Sequence, residues 1–333
     1  MRRLILLAIV ALGLAPVTCV HDPGPPGPLD ERPILTFAEL PVRDRDLGEV
    51  RVAGAWRLDS PNHHFGSYSA LVSLDDGTLL AASDRGRNLR FSPPGNARLA
   101  PQYDYFSLSG SGRKSLYDIE AVTRDARTGQ VWAAYERSNT IERYSAALRS
   151  EARAQPAAMQ GWRGNSGAEA MVRLADGRFI VLAEVNPRWF SDDVPGLLFA
   201  GDPVAGAAPI SFGFRPPEGF RPVDMALLPN GRVLILVRDV VWPMPPRFAG
   251  KLVLADPSAI RAGEAWSGTV IADFDDRVPC DNYEGLAVVP APGGGLVLWL
   301  ISDDNSIRLQ RTLLLKLLWN PNEKARGASR APR

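Results

Sequence analysis

The sequence predicts an all-β protein, a β-propeller of five blades closed by a strand from near the N-terminus. Three observations predict it. Gly (30) and Pro (29) are frequent among the 333 residues, and no long amphipathic helical pattern follows the N-terminus. Short apolar runs are split by Asp-Gly and Asn-Gly pairs, the strongest local hairpin signal. The same unit also recurs along the chain at about the length of a propeller blade, roughly 40–50 residues.

Residues 1–19 read as a secretory signal. Met1-Arg2-Arg3 is a basic start, and residues 4–14 form an apolar run too short for a membrane span. Cys19 follows Leu14-Ala-Pro-Val-Thr, a degenerate form of the site that precedes a lipidated cysteine. Pro16 and Thr18 depart from that form, so plain cleavage nearby is the competing expectation. Both place the protein in the periplasm or cell envelope, expected as a monomer; a lipidated Cys19 would tether it to the membrane. Residues 20–48, opening with a Pro- and Gly-rich stretch, read as a linker. The propeller is expected over 49–320 and a disordered tail over 321–333.

Lys and Arg total 38 and Asp and Glu 37, a net charge of +1. No bulk field therefore favours nucleic acid or a membrane surface. Cys19 and Cys280 are the only cysteines, so no structural disulfide is expected. The histidines, His21, His63 and His64, form no zinc spacing with them.

The blades follow in order. Ser69-Ala-Leu-Val-Ser-Leu runs through Asp76-Gly to an acidic end at Asp84. Glu120-Ala-Val-Thr runs through Gly129 to Glu136, and Glu169-Ala-Met-Val through Asp176-Gly to Glu184. Asp224-Met-Ala-Leu runs through Asn230-Gly to Arg238-Asp239, and Glu284-Gly-Leu-Ala to Asp303-Asp304-Asn305. The first positions, 69, 120, 169, 224 and 284, are separated by 51, 49, 55 and 60 residues. Residues 197–200 and 210–214 complete one blade, and 251–254 and 269–274 complete the next. After Asn305 only one good strand remains, 312–319, so 49–58 is expected to close the last blade and remove its open edge. Six blades would require further strands, for instance within 34–47.

The first strand of each blade lines the central channel of a propeller. Ser69, Glu120, Glu169, Asp224 and Glu284 are thus expected on the channel. Asp84, Glu136, Glu184, Asp239 and Asp303 or Asp304 are expected at the same mouth. Adjacent carboxylates repel and lose solvation unless a cation neutralises them. Calcium takes several oxygen ligands in flexible geometry and suits such a ring. Asp84, Glu120, Glu169, Glu284, Asp303 and Asp304 are the candidate ligands, with Asn139, Asn186 and Asn305 as further donors. The competing reading is that these acids cap backbone or pair with Arg85, Arg137 and Arg238.

Asp118-Ile-Glu-Ala, Asn165-Ser-Gly-Ala-Glu-Ala-Met, Asp281-Asn-Tyr-Glu-Gly-Leu-Ala-Val and Leu298-Trp-Leu-Ile-Ser-Asp-Asp-Asn resemble the bacterial phytase-like family, also called esterase-like activity of phytase. The resemblance spans roughly residues 51–319. It departs from the pattern at Ser69-Ala-Leu, where Ser-Gly-Leu is typical. It implies an exported β-propeller with phosphoesterase or esterase activity.

In a metal-dependent hydrolase, Glu136 or Glu184 is the candidate general base, and His64 beside His63 a candidate acid/base group. Arg85, Arg87 and Arg137 are candidates to hold anionic oxygens, with ion pairing as their competing role. No Gly-x-Ser-x-Gly nucleophile elbow is present, and Cys280 is expected to be a buried, inert thiol. Two other classes stay open: a non-catalytic ligand- or protein-binding propeller with structural calcium, and a sugar-lactone hydrolase.

Overall fold

The computed structural model describes residues 29–96, 99–106, 118–162, 167–185, 192–241, 247–275, 277–307 and 309–321. The leader, Cys19, Asn165, Asn186 and the tail from 322 lie outside the described residues.

The strands form five antiparallel sheets, one per blade. β1 (Thr36–Glu39) and β2 (Val50–Asp59) belong to the last blade. The first blade is β3 (Tyr68–Ser73), β4 (Leu79–Ser83), β5 (Arg87–Phe91) and β6 (Gln102–Tyr105). The second is β7 (Ile119–Arg124), β8 (Val131–Tyr135), β9 (Thr140–Tyr144) and β10 (Ser150–Ala154). The third is β11 (Ala168–Arg173), β12 (Phe179–Ala183), β13 (Val194–Phe199) and β14 (Pro209–Phe214). The fourth is β15 (Arg221–Leu227), β16 (Val233–Val241), β17 (Arg247–Ala255) and, after the two-residue β18 (Ala265–Trp266), β19 (Thr269–Phe274). β18 itself pairs parallel to β14 at the edge of the third blade. The fifth blade has the order β20 (Tyr283–Pro290), β21 (Leu296–Ser302), β22 (Leu313–Trp319), β2, β1.

The described part of the segment before Glu49 is not a free tether. β1 pairs with β2 across Thr36↔Asp59 to Glu39↔Trp56, and Leu47 is buried among core side chains of the fourth and fifth blades. Residues 34–47 therefore extend the fifth blade and do not begin a sixth.

Turn chemistry explains the hairpins. Asp76, Asp176 and Asn230 each accept the backbone N–H two residues on, from Thr78, Arg178 and Arg232. The following glycine takes left-handed backbone, with φ of +80° at Gly77 and +91° at Gly177.

The second strands read as unbroken apolar runs because each is sandwiched between neighbouring blades. Every residue of β4, β8 and β12 is buried. The core is accordingly five clusters, each shared by two adjacent blades, and not one central mass. The inner strands pack as a closed ring, β3 to β7 to β11 to β15 to β20 and back to β3.

Candidate metal centre

Each inner strand carries one β-bulge at the same place. The ladder skips Ser69 in β3, Glu120 in β7, Glu169 in β11, Val223 in β15 and Glu284 in β20. A bulge leaves its extra residue unpaired and re-aims the side chain, a device common beside functional sites. The residue two before each bulge faces the end of the second strand. Asp84, Glu136, Glu184 and Asp303 donate their backbone N–H to the carbonyls of Ser67, Asp118, Gly167 and Asn282. In the fourth blade the facing pair is Arg221 and Arg238.

This register corrects two expectations. The fourth blade's counterpart of the channel glutamates is Val223, and Asp224 lies one residue beyond, paired with Leu236. Its second-strand end is Arg238, and Asp239 lies one residue beyond. Four blades thus bring carboxylates to the mouth, while the fourth brings two guanidiniums.

The carboxylates converge. Oxygens of Asp118, Glu120 and Glu136 lie within 4.8 Å of one another, as do oxygens of Glu136, Glu169 and Glu184. Glu136 belongs to both groups. Burial pushes the Glu120 carboxyl well above its usual range, and Glu169 and Glu284 nearby push it further. Burial does the same to Glu169, reinforced by Glu184 and Glu136, and to Asp303, reinforced by Glu284 and Asp84. Glu136 is raised by burial, while a hydrogen bond with Glu169 opposes the shift. Both carboxyls of this close pair are thus held above their usual range. Burial raises Asp84 from 3.8 to about 6. Burial also raises Glu284, against the pull of Arg238. Asn282, 2% exposed, donates Nδ2 to Glu284 Oε1 at 2.8 Å, and its Oδ1 has no hydrogen-bond partner among the described residues.

A family model described as Phytase-like, esterase-like activity of phytase, matches residues 63–306. The chain belongs to the phytase-like family. Among curated proteins none matches. Among solved structures, Myxococcus xanthus glutaminyl cyclase is 13% identical over 84% of this chain and 99% of that one, with a TM-score of 0.47. The nidogen/laminin complex is 10% identical over 87% and 94%, with a TM-score of 0.41. U3-55K is 10% identical over 80% and 98%, with a TM-score of 0.40. Likenesses at this level carry no argument about the chemistry of the phytase-like site.

The phytase-like propeller gathers Asp84, Glu120, Glu136, Glu169, Glu184, Glu284 and Asp303 at one mouth, together with Asp118, which the repeat alignment did not single out. Asp304 is committed elsewhere: its oxygens accept from Ser67 N–H at 3.2 Å, Ser306 N–H at 2.9 Å and the Thr312 hydroxyl at 2.6 Å. Asn305 donates to Gln310 Oε1 and Asn139 to the Trp162 carbonyl.

Arg137 pairs with Asp118 at 2.7 Å, and Arg85 stands 3.9 Å from Asp84 while hydrogen-bonded to Ser306. Arg87 donates to the His63 carbonyl. His64 is not brought to the carboxylates. Its ring stacks edge-on with His63 and Tyr105 in a groove of about 610 Å³ beside the first blade. Burial lowers its pKa.

Asp118 and Asn282 were findable. Each stands two residues before a channel glutamate, in Asp118-x-Glu120 and Asn282-x-Glu284.

Proposed function

We propose that the mouth holds a hard divalent cation, calcium, and that the protein hydrolyses phosphate or other esters there. The observation that carries this reading is the gathering of buried carboxylates from four blades, raised by burial and by one another. The donor set fits such an ion: it is all oxygen, and the unpaired Asn282 Oδ1 is a further buried acceptor. Family membership supports a hydrolase.

Asp118, Glu120, Glu136 and Glu169 would hold the ion, Glu136 being common to both carboxylate groups. A bound calcium would polarise an ester or phosphoryl oxygen and offset its negative charge. Glu184 stands at the border with the fourth blade, 3.2 Å from Arg221. From there it is placed to accept a proton from an attacking water. The N-terminal sequence supports a location in the periplasm or cell envelope.

The test is turnover by the calcium-loaded protein on phosphomonoesters, carboxylic esters and sugar lactones. The reading expects calcium-dependent hydrolysis of an ester, lost in Glu184→Gln with the fold intact. Calcium binding with no turnover on the whole panel would leave a binding propeller with structural calcium. Turnover of lactones alone would make it a lactone hydrolase.

A further inference from the structure

The mouth is asymmetric. At the two facing positions the other blades place Ser67 and Asp84, Asp118 and Glu136, Gly167 and Glu184, or Asn282 and Asp303. The fourth places Arg221 and Arg238. We infer that Arg221 and Arg238 are specificity-determining residues that hold an oxyanion of the substrate, so the site selects anionic esters over neutral ones. This rests on the reading of the mouth as a substrate site.

Arg238 has a buried donor left unsatisfied among the described residues. Arg238 Nη2 stands 3.3 Å from Glu284 and 3.8 Å from Glu184, and its side chain is 18% exposed. Its Nε is buried with no hydrogen-bond partner among the described residues. A guanidinium carries five N–H donors in a fixed fork and stays charged at every relevant pH. One Nη2 reaching between two glutamates uses little of that fork. An unmade donor in a half-buried site is costly, and an anion with two or more oxygens would satisfy it in bidentate fashion.

Arg221 Nη1 lies 3.2 Å from the same Glu184, so both guanidiniums flank one carboxylate. A cation held by the second and third blades would draw on Glu184 and leave the guanidiniums facing it. An oxyanion would then be held between a cation on one side and two guanidiniums on the other. A neutral lactone or ester offers no charge to that second side.

The experiment is calorimetric titration of inorganic phosphate, and separately of acetate, into the full-length protein with and without calcium. The variants are Arg238→Gln, Arg238→Lys and Arg221→Gln, each also titrated with calcium. Phosphate affinity should fall at least tenfold in Arg238→Gln and Arg221→Gln. Arg238→Lys should recover less than half of the loss on a logarithmic scale, because an ammonium keeps the charge but not the fork. Calcium affinity should be unchanged or tighter in Arg238→Gln and Arg221→Gln, because each removes a cation competing for Glu184, and unchanged in Arg238→Lys, which keeps the charge. Acetate binding as tight as phosphate would assign the site to esters that carry a separate carboxylate; weaker acetate binding would assign it to phosphoesters. Phosphate affinity unchanged in Arg238→Gln would overturn the inference, as would wild-type protein that binds neither anion with or without calcium. Failure of calcium to bind, with phosphate binding still lost in the arginine variants, would overturn the metal site and leave the anion site standing.

Discussion

Asp224 offers a sharp test of how the ring of inner strands is held. It is 0% exposed and reaches three strands at once. Its Oδ1 accepts Met225 N–H at 2.8 Å and its Oδ2 accepts Leu286 N–H at 2.6 Å, with Leu71 N–H as a third donor. Leu71, Met225 and Leu286 each lie two residues beyond the bulge of their own strand. The bulges thus present three N–H groups to one buried side chain. Asp224→Ala would leave all three without an acceptor. A buried N–H stripped of its partner costs about 1–3 kcal/mol, so three cost about 4 kcal/mol at the lower middle of that range. For a domain of this size roughly 2 °C of melting temperature accompanies each kcal/mol, so the midpoint should drop by about 8 °C. Asp224→Asn should lose part of this, because its amide can face only one side with oxygen. Differential scanning calorimetry reads the midpoint, and hydrogen exchange reads the Leu71 and Leu286 amides, which should lose protection. A loss under about 1 kcal/mol in Asp224→Ala would mean that these N–H groups do not depend on the carboxyl, since three abandoned donors cost more than that.

Other consequences follow from the same structure. The raised carboxyls of Asp84, Glu120, Glu169 and Asp303 mean that the folded state holds more protons than the unfolded chain above about pH 4. Metal-free stability should therefore fall as pH rises from about 4 to about 7, and calcium should restore it; thermal melts with chelator and with calcium check both signs. Asp84 alone, moved from 3.8 to about 6, sets a ceiling of about 3 kcal/mol, and its 33% exposure discounts that to about 1–2 kcal/mol. Gly285→Ala should cost about 1–3 kcal/mol by denaturant unfolding. Its Cβ would lie 2.6 Å from Ile301 Cγ2 and 2.9 Å from the Ala70 carbonyl carbon, so an unchanged midpoint would contradict the packing. Cys280 donates to the Phe248 carbonyl and burial pushes its thiol up to about 12. It should resist thiol reagents near neutral pH until the protein is unfolded, and rapid labelling of the native protein would contradict this.

The hairpins were legible because their determinants are local. Asp-Gly and Asn-Gly turns and both-face-buried second strands announce themselves in a few residues, and five repeats of them carry the blade count. The bulges were not legible. A one-residue skip has no local signature in Pro222-Val223-Asp224, and an aspartate beside the right position imitates the channel glutamates of the other blades. The same one-residue error took Asp239 for the strand end and hid the Arg221–Arg238 pair. β1 and β18 escaped because one is a short polar edge and the other has only two residues. His64 was drawn to the site by its residue type, yet which groove it lines depends on tertiary packing of the first blade. Asp304 shows the converse: adjacent to Asp303 in sequence, it serves the local backbone.

Calorimetric titration of calcium into metal-free protein near neutral pH asks directly whether the mouth is a cation site. The prediction is saturable binding in the wild type, abolished in Glu136→Gln combined with Glu169→Gln while the melting profile still shows a folded propeller. No binding by the wild type, or binding undiminished in that double variant, would contradict it and leave the carboxylates as a proton-sharing, salt-bridged ring.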